Sequence, residues 1–134
     1  MDSNDIINVA KKVLQEDARA LDLFRENFPS GFVEAVRYIT DELKGKVVVA
    51  GMGKSGLVAR RLAVTLASTG TKAVFLHYAE ASHGDMGIID DADCVIAMSN
   101  SGETKEMSNL LSYTRRFGIK LIGISSDANS TLAK

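Results

Sequence analysis

The run Val47-Val48-Val49-Ala50 constrains the fold of this chain more than any other segment. It is continuously apolar, so a strand formed here buries both of its faces, which is typical of a parallel sheet covered by helices. Three further apolar runs follow, at residues 73–76, 94–98 and 119–124. Segments with helical spacing come after the first and third runs, at residues 57–69 and 103–117. The alternation predicts an α/β fold, a doubly wound parallel sheet of flavodoxin-like type, with sites at the carboxyl ends of the strands.

Two amphipathic segments precede this core. Residues 4–26 and 32–43 place apolar side chains at helical intervals, so we predict a pair of N-terminal helices over residues 1–44. These helices either cover a face of the sheet or contribute to an oligomer contact. We expect one domain over the whole chain, with its α/β core at residues 45–134. No turn follows Leu132, so the core is expected to lack the last strand and helices of its fold.

Charge and apolar content argue against two classes of partner. The formal net charge of −1 offers no attraction for nucleic acid or for an anionic membrane surface. No apolar run approaches the roughly 18 residues of a membrane span, and the polar N-terminus does not resemble a signal peptide. The one cysteine, Cys94, lies in a predicted strand, where a small buried hydrophobe is expected. We therefore expect a cytoplasmic protein without disulfides.

The segment Ser99-Asn100-Ser101-Gly102-Glu103-Thr104 is the most informative one about function. Three hydroxyl side chains follow a predicted buried strand at the start of a predicted helix. Hydroxyl groups and backbone N–H groups at a helix N-terminus are what a phosphate monoester needs around it. The Glu103 carboxylate would repel a phosphate, so it is expected to point at the rest of the ligand. The segment predicts a phosphosugar site with an acid/base group beside it.

A second turn, Gly51-Met52-Gly53-Lys54-Ser55-Gly56, joins the first strand to a helix. Its Gly-x-Gly-x-x-Gly spacing also occurs in dinucleotide-binding folds, which place an acidic residue near the position of Glu80. Lys54 and Ser55 instead supply phosphate-binding groups, and a second phosphate-type turn follows, so we favour a phosphosugar over a dinucleotide. A Walker A site is excluded, because it needs glycine where this chain has Val48.

Both histidines lie in the predicted loop that follows the second strand, at His77 and His83. Imidazole and carboxylate groups bind zinc, so these two residues are candidate metal ligands. Their His-x-x-Glu-x-x-His spacing is not a standard helix-borne arrangement, however. We favour general acid/base work by His83, since histidine is the side chain that most often transfers protons near neutral pH. The other alternative is a surface loop with two incidental histidines.

Together these segments resemble the sugar isomerase (SIS) domain family, and most closely its arabinose 5-phosphate isomerase members. The resemblance covers residues 46 to about 126. It rests on the two turns described above and on Ala67-Ser68-Thr69-Gly70-Thr71, Phe75-Leu76-His77 and Glu80-Ala81-Ser82-His83-Gly84-Asp85-Met86-Gly87. The chain departs from those isomerases at Tyr78-Ala79, where they usually have proline and a small residue.

The resemblance implies roles for seven residues. Phosphate binding is implied for Ser55, Ser99, Ser101 and Thr104. Roles at the sugar are implied for Lys54, His83 and Glu103. The implied reaction converts the ketose D-ribulose 5-phosphate to the aldose D-arabinose 5-phosphate through an enediol, with no cofactor and no metal. Glu103 is the expected base, Lys54 would stabilise the enediolate, and His83 would move protons during ring opening or between oxygens.

Self-association and two other functions also follow from the resemblance. Family members share their sites between subunits of a tetramer, so a dimer or tetramer is expected. Other SIS domains sense a phosphosugar in transcription or kinase regulators without turnover, although no basic recognition face precedes this core. A third possibility is an isomerase of another sugar, such as a hexulose 6-phosphate, which the segment His83-Gly84-Asp85 disfavours.

Overall fold

A computed structural model describes residues 2–134, which contain a four-stranded parallel sheet and its flanking helices. The helices are α1 (Ser3–Glu26), α2 (Phe32–Arg37), α3 (Gly53–Ser68), α4 (Tyr78–Ala81) and α5 (Ser108–Phe117). The strands are β1 (Val47–Gly51), β2 (Ala73–His77), β3 (Cys94–Met98) and β4 (Lys120–Ile124). Shorter turns of 3-10 or π-helix occur at Tyr38–Glu42, Asp85–Ile88, Lys105–Met107 and Thr131–Ala133.

The strand order is β2-β1-β3-β4, and every neighbouring pair is parallel. Val47 lies opposite Ala73 on one side and Cys94 on the other, so β1 is an inner strand. The chain moves outward in one direction from β1 to β2 and in the other from β3 to β4. The predicted doubly wound sheet is therefore confirmed, with its switch point between β1 and β3. Both phosphate-type turns emerge at the carboxyl edge of these two strands.

Both faces of β1 are buried, as its apolar run predicts. Val48 and Ala50 belong to one core cluster, which includes Leu110 of α5. Val47 and Val49 belong to the other, with Ala59 and Ala63 of α3. No side chain of β1 can reach water, because the strand is paired on both edges and covered on both faces. Cys94 is fully buried, and burial raises the pKa of its thiol to about 11, in keeping with a packing role.

Two helix boundaries differ from the prediction. The helix expected at 57–69 begins at Gly53 and ends at Ser68. Its Ala59 and Ala63 pack on the sheet, whereas Leu57 is 71% exposed. The helix expected from residue 103 begins at Ser108. Gly102 takes a left-handed conformation (φ 66°), and a 3-10 turn precedes the α-helix. Thr104 has an extended backbone (φ −60°, ψ 120°), which cannot be part of an α-helix, so the helix starts only after it.

The chain divides into two compact units, one up to Val36 and the other Arg37–Lys134. Ile39 and Leu43, which the sequence assigns to the second N-terminal helix, pack against the core of the second unit. Within residues 2–134, no helix combines the length and the apolar content that crossing a bilayer requires.

Helix α1 is as predicted in extent but buries no residue. Its start is fixed by a capping box, in which the Asp2 carboxylate accepts from the Asp5 N–H and the Asp5 carboxylate accepts from the Asp2 N–H. Eight large apolar side chains of α1 are exposed, namely Ile6, Ile7, Val9, Val13, Leu14, Leu21, Leu23 and Phe24. A helix with this much exposed apolar surface has a face that another surface could cover.

A buried carboxylate joins the amino ends of β1 and β3, at the edge of the sheet opposite the turns. Asp93 is 2% exposed, and its Oδ1 accepts from the Lys46 N–H at 2.8 Å. Its Oδ2 accepts from the Lys46 Nζ at 2.6 Å and from the Asp90 N–H at 2.8 Å. Burial alone would raise the pKa of this carboxyl group, but the hydrogen bonds from Asp90 and Lys46 outweigh it and hold the pKa below its ordinary value.

Substituting Asp93→Ala should therefore lower the free energy of unfolding by about 1–3 kcal/mol, because two partly buried N–H groups and the Lys46 ammonium group lose their acceptor. Urea unfolding followed by circular dichroism measures this, with the exposed neighbour Asp91→Ala as the matched control. Since the folded-state pKa is lowered, the stabilisation is present above the ordinary aspartate pKa and is lost as the pH falls through the folded value. The difference in unfolding free energy between wild type and Asp93→Ala should therefore disappear in acid. Equal urea midpoints for the two proteins at neutral pH, or a stability difference that does not change with pH, would contradict this role of Asp93.

Candidate functional site

A cleft of about 780 Å³ lies at the carboxyl edge of the sheet. It collects residues that follow β1, β3 and β4, as the topology of a parallel sheet requires. Six of its lining residues carry hydroxyl groups, namely Ser55, Ser99, Ser101, Thr104, Ser125 and Ser126. Lys54 lines the same cleft and makes no ion pair within the described residues 2–134. The cleft is thus rich in hydroxyl donors and holds a cation, which suits an oxyanion ligand.

The first wall of the cleft is the turn from β1 into α3. Gly51 and Gly56 approach so closely that a Cβ on Gly51 would lie 3.1 Å from the Gly56 backbone nitrogen. This packing aims the N-terminus of α3 at the cleft, with Lys54 and Ser55 in its first turn. No side chain caps that N-terminus, so its first N–H groups and the helix dipole are available to an anion.

The second wall is the turn that follows β3. The Ser99 and Thr104 hydroxyls share a hydrogen bond of 2.8 Å, and the Gly102 N–H donates to the Ser99 Oγ at 3.0 Å. The Glu103 N–H donates to the Ser101 Oγ at 3.2 Å. These bonds fold the hydroxyl groups into a compact turn. No α-helix starts here, so this turn offers hydroxyl and N–H groups without the helix dipole that the sequence predicted.

The third wall is the segment after β4, which our sequence reasoning missed. The Ser126 N–H and Oγ both donate to the Asn100 carbonyl, at 3.0 and 2.7 Å. The Ser99 N–H donates to the Ile124 carbonyl at 3.1 Å. Ser125 and Ser126 directly follow the apolar run 119–124, which is the same pattern that identified the turn after β3. Applying that rule to the fourth strand would have found them.

The structure does not bring the predicted base to the cleft. Glu103 is exposed, its Oε1 accepts from the Thr131 N–H at 2.6 Å, and its Oε2 accepts from the Thr131 Oγ1 at 2.7 Å. Both hydrogen bonds favour the charged carboxylate and hold its pKa below the ordinary glutamate value. A residue 28 positions along the chain thus binds both oxygens, and Glu103 is not among the residues that line the cleft.

Neither histidine lines the cleft. His83 lies on the exposed turn after α4, and the His77 Nδ1 accepts from the Ala79 N–H at 3.3 Å. Within residues 2–134 no group of three or more histidine, cysteine, aspartate or glutamate side chains is gathered for a metal ion. The candidate metal ligands His77 and His83 thus gain no geometric support. Glu80, which a dinucleotide site would need at the second strand end, lies instead in the short helix α4.

Comparisons with known proteins connect this geometry to a family. The family model named SIS domain matches residues 42–134. Arabinose 5-phosphate isomerase KdsD of Pseudomonas aeruginosa is 46% identical over 130 residues, which are 97% of this chain and 40% of that protein. A Rickettsia prowazekii protein of uncharacterized function is 40% identical over 134 residues, which are 100% of this chain and 42% of that protein.

A solved structure gives the same result at the level of the fold. The structure of an Escherichia coli protein in complex with arabinose 5-phosphate matches with a TM-score of 0.94 and 38% identity, over 99% of this chain and 70% of that chain. This chain spans about two fifths of the length of the curated relatives that it matches.

The turn after β3 depends on Gly102, whose φ is 66°. A Cβ at this position would collide with the Cβ and Oγ of Ser130 and would lie 2.8 Å from the Ser125 Oγ. Gly102→Ala should therefore displace the turn, weaken binding of inorganic phosphate at least tenfold in calorimetric titration, and destabilise the fold by about 1–3 kcal/mol. Gly87→Ala is the control, because that glycine has ordinary φ and open space around it. Unchanged stability and phosphate binding in Gly102→Ala would contradict the proposed rigidity of the turn.

Proposed function

The chain belongs to the SIS domain family, and on this premise we propose that it forms the substrate-binding core of an aldose–ketose isomerase. The proposed reaction interconverts D-ribulose 5-phosphate and D-arabinose 5-phosphate through an enediol. The observation that carries the proposal is the cleft at the switch point, where three strand ends contribute six hydroxyl groups and one lysine. The identity to arabinose 5-phosphate isomerases, over nearly all of this chain, supports the choice of substrate.

The phosphate of the sugar would lie between the turn after β1 and the turn after β3. The N-terminus of α3 would face it with free N–H groups, and Ser55 would donate a hydrogen bond from the first turn. The opposite wall would complete this phosphate-binding site with the hydroxyl groups of Ser99, Ser101 and Thr104. A dianionic phosphate gains most from donors that are fixed before it arrives, and the hydrogen bonds within the second turn provide that order.

The sugar would extend from this phosphate-binding site toward Lys54. Isomerisation moves a proton from a carbon next to the carbonyl, and negative charge develops on oxygen in the enediolate. The Lys54 ammonium group lines the cleft and would stabilise that charge. The resemblance to the family supports His83 as the group that moves protons, although His83 lies on the exposed turn after α4 and outside the residues that line the cleft.

Incubation with D-ribulose 5-phosphate, followed by NMR, should show conversion to D-arabinose 5-phosphate by the protein that carries this chain. Lys54→Met should lower kcat/KM by about 10²–10³-fold, because the variant loses a cation that acts on the developing charge. Lys72→Met is the control, since Lys72 is an exposed lysine that precedes β2 at the opposite edge of the sheet. Tight phosphosugar binding with no turnover by wild type would favour a sensor instead. Equal activity of wild type and Lys54→Met would remove Lys54 from the mechanism.

We also propose that the protein self-associates as a dimer or tetramer through its N-terminal helices and its core. The support is the exposed apolar surface of α1, none of whose residues is buried within one chain. Burying such surface in a symmetric contact is the ordinary way to stabilise it.

Light scattering of the full-length protein that carries this chain, at micromolar concentration, should therefore give a multiple of the mass of one subunit. The double variant Leu14→Glu and Leu21→Glu should shift the mass toward the monomer, because it places charge in the apolar stripe. Arg19→Glu, on the same helix, is the control for charge alone. A wild-type chain that is monomeric in this range would contradict the proposal.

A further inference from the structure

We propose that Glu103 is a positioning residue, which holds the turn after β3 (residues 99–104) against the segment after β4 (residues 125–133). We call these two segments together the double turn. The inference deepens the proposed function and rests on it, because the double turn forms two of the three walls of the phosphosugar cleft.

The Glu103 carboxylate makes a two-point contact with one residue of the opposite segment. Its Oε1 accepts from the Thr131 backbone N–H at 2.6 Å, and its Oε2 accepts from the Thr131 Oγ1 at 2.7 Å. The Ser130 side chain beside this contact is 1% exposed, although Glu103 and Thr131 themselves are exposed. Thr131 begins a 3-10 turn, so its N–H has no partner within that turn and donates to the carboxylate instead.

Other hydrogen bonds continue the contact along the double turn. The Leu132 N–H donates to the Gly102 carbonyl at 3.1 Å, and the Ser126 N–H donates to the Asn100 carbonyl at 3.0 Å. Ser130 lies so close to Gly102 that no side chain could be inserted between them. The contact at Glu103 is the one in this set that uses a charged side chain, and charge-assisted hydrogen bonds are the stronger kind.

A base that removes a proton from carbon needs free lone pairs directed at the substrate and a pKa suited to accepting the proton. The Glu103 carboxylate is directed at Thr131 and not at the cleft, and its pKa is lowered. Each of its oxygens accepts one hydrogen bond from Thr131, and these two hydrogen bonds lower its pKa, which makes it a weaker base. The residue is also not among those that line the cleft.

The consequence for the cleft comes through Ser125 and Ser126. Both line the cleft, and both precede the residue that Glu103 holds. If the carboxylate is removed, the segment after β4 loses its charge-assisted anchor to the turn after β3. The separation of the two walls is then less restricted, so ligand binding should weaken while the chemical step is little affected.

The test compares Glu103→Gln with Glu103→Ala. A glutamine can keep both contacts, because its amide oxygen accepts from the Thr131 N–H and its amide N–H donates to the Thr131 Oγ1, which can also accept. Glu103→Gln should therefore retain kcat, and its Kd for D-arabinose 5-phosphate should stay within about threefold of wild type. Glu103→Ala should raise that Kd about tenfold with kcat changed far less. A fall of about 10²–10⁴-fold in kcat for Glu103→Gln, with binding intact, would identify Glu103 as the base and overturn the proposal.

A double-mutant cycle with Thr131→Val isolates the contact itself. If Glu103 acts through Thr131, the effects of Glu103→Ala and Thr131→Val on Kd should be less than additive. Fully additive effects would place the action of Glu103 elsewhere and would contradict the proposal.

Hydrogen exchange tests the positioning role of Glu103 without any ligand. If wild type neither binds nor isomerises the sugar, that result contradicts the proposed function but leaves the positioning role to be decided by the exchange rates. The amides of Ser126 and Leu132 should exchange at least tenfold faster in Glu103→Ala than in wild type. Glu103→Gln, which keeps both hydrogen bonds without the charge, should exchange closer to the wild-type rate than to the rate of Glu103→Ala. Unchanged exchange in Glu103→Ala would contradict the positioning role, whatever the outcome of the ligand experiments.

Discussion

The burial of β1 between two parallel neighbours is the constraint on which the rest of this structure depends. Its valines have no exposed face, so the strand can only sit inside the sheet with helices on both sides. Ala50 pairs with Leu76 and Ala97, which brings the ends of β2 and β3 level with the end of β1. The turns that follow β1 and β3 therefore face one another at the switch point. The position of the cleft follows from strand order before any functional side chain is considered.

Within that frame, glycines decide how closely the walls approach. Gly51 and Gly56 let the N-terminus of α3 touch the end of β1, and Gly102 lets the turn after β3 pack on Ser130. A larger residue at any of these positions would move hydroxyl donors away from a shared ligand. The cleft thus combines backbone contacts that require glycine with side chains that carry hydroxyl groups, which is an arrangement suited to a phosphate ester.

The strands and the first two walls could be predicted from the sequence, because each depends on neighbouring residues. Apolar runs marked β1 to β4, and Lys54, Ser55, Ser99, Ser101 and Thr104 do line one cleft. The failures concern tertiary contacts. Leu57 is an apolar residue of a helical segment, yet it is 71% exposed, because Ala59 and Ala63 form the face of α3 that packs on the sheet.

Glu103 shows the same limit more sharply. Its position beside a phosphate-type turn predicts a contact with the ligand. Its partner in the structure, Thr131, is 28 residues away in the sequence. Spacing within a motif does not reveal such a partner, since only the packing of the segment after β4 brings it near. Ser125 and Ser126 differ from Glu103, because they directly follow the apolar run 119–124. Hydroxyl residues after an apolar run are the same local pattern that marks the turn after β3, so these two positions are visible in the sequence.

A crystal structure of this chain with D-arabinose 5-phosphate tests the central claim most directly. The account predicts that the phosphate lies between the two turns, within hydrogen-bond reach of Ser55, Ser101 and Thr104 and of the N–H groups at the start of α3. It also predicts that the sugar extends toward Lys54. A phosphate bound outside this cleft, or a cleft that stays empty at saturating ligand, would contradict it.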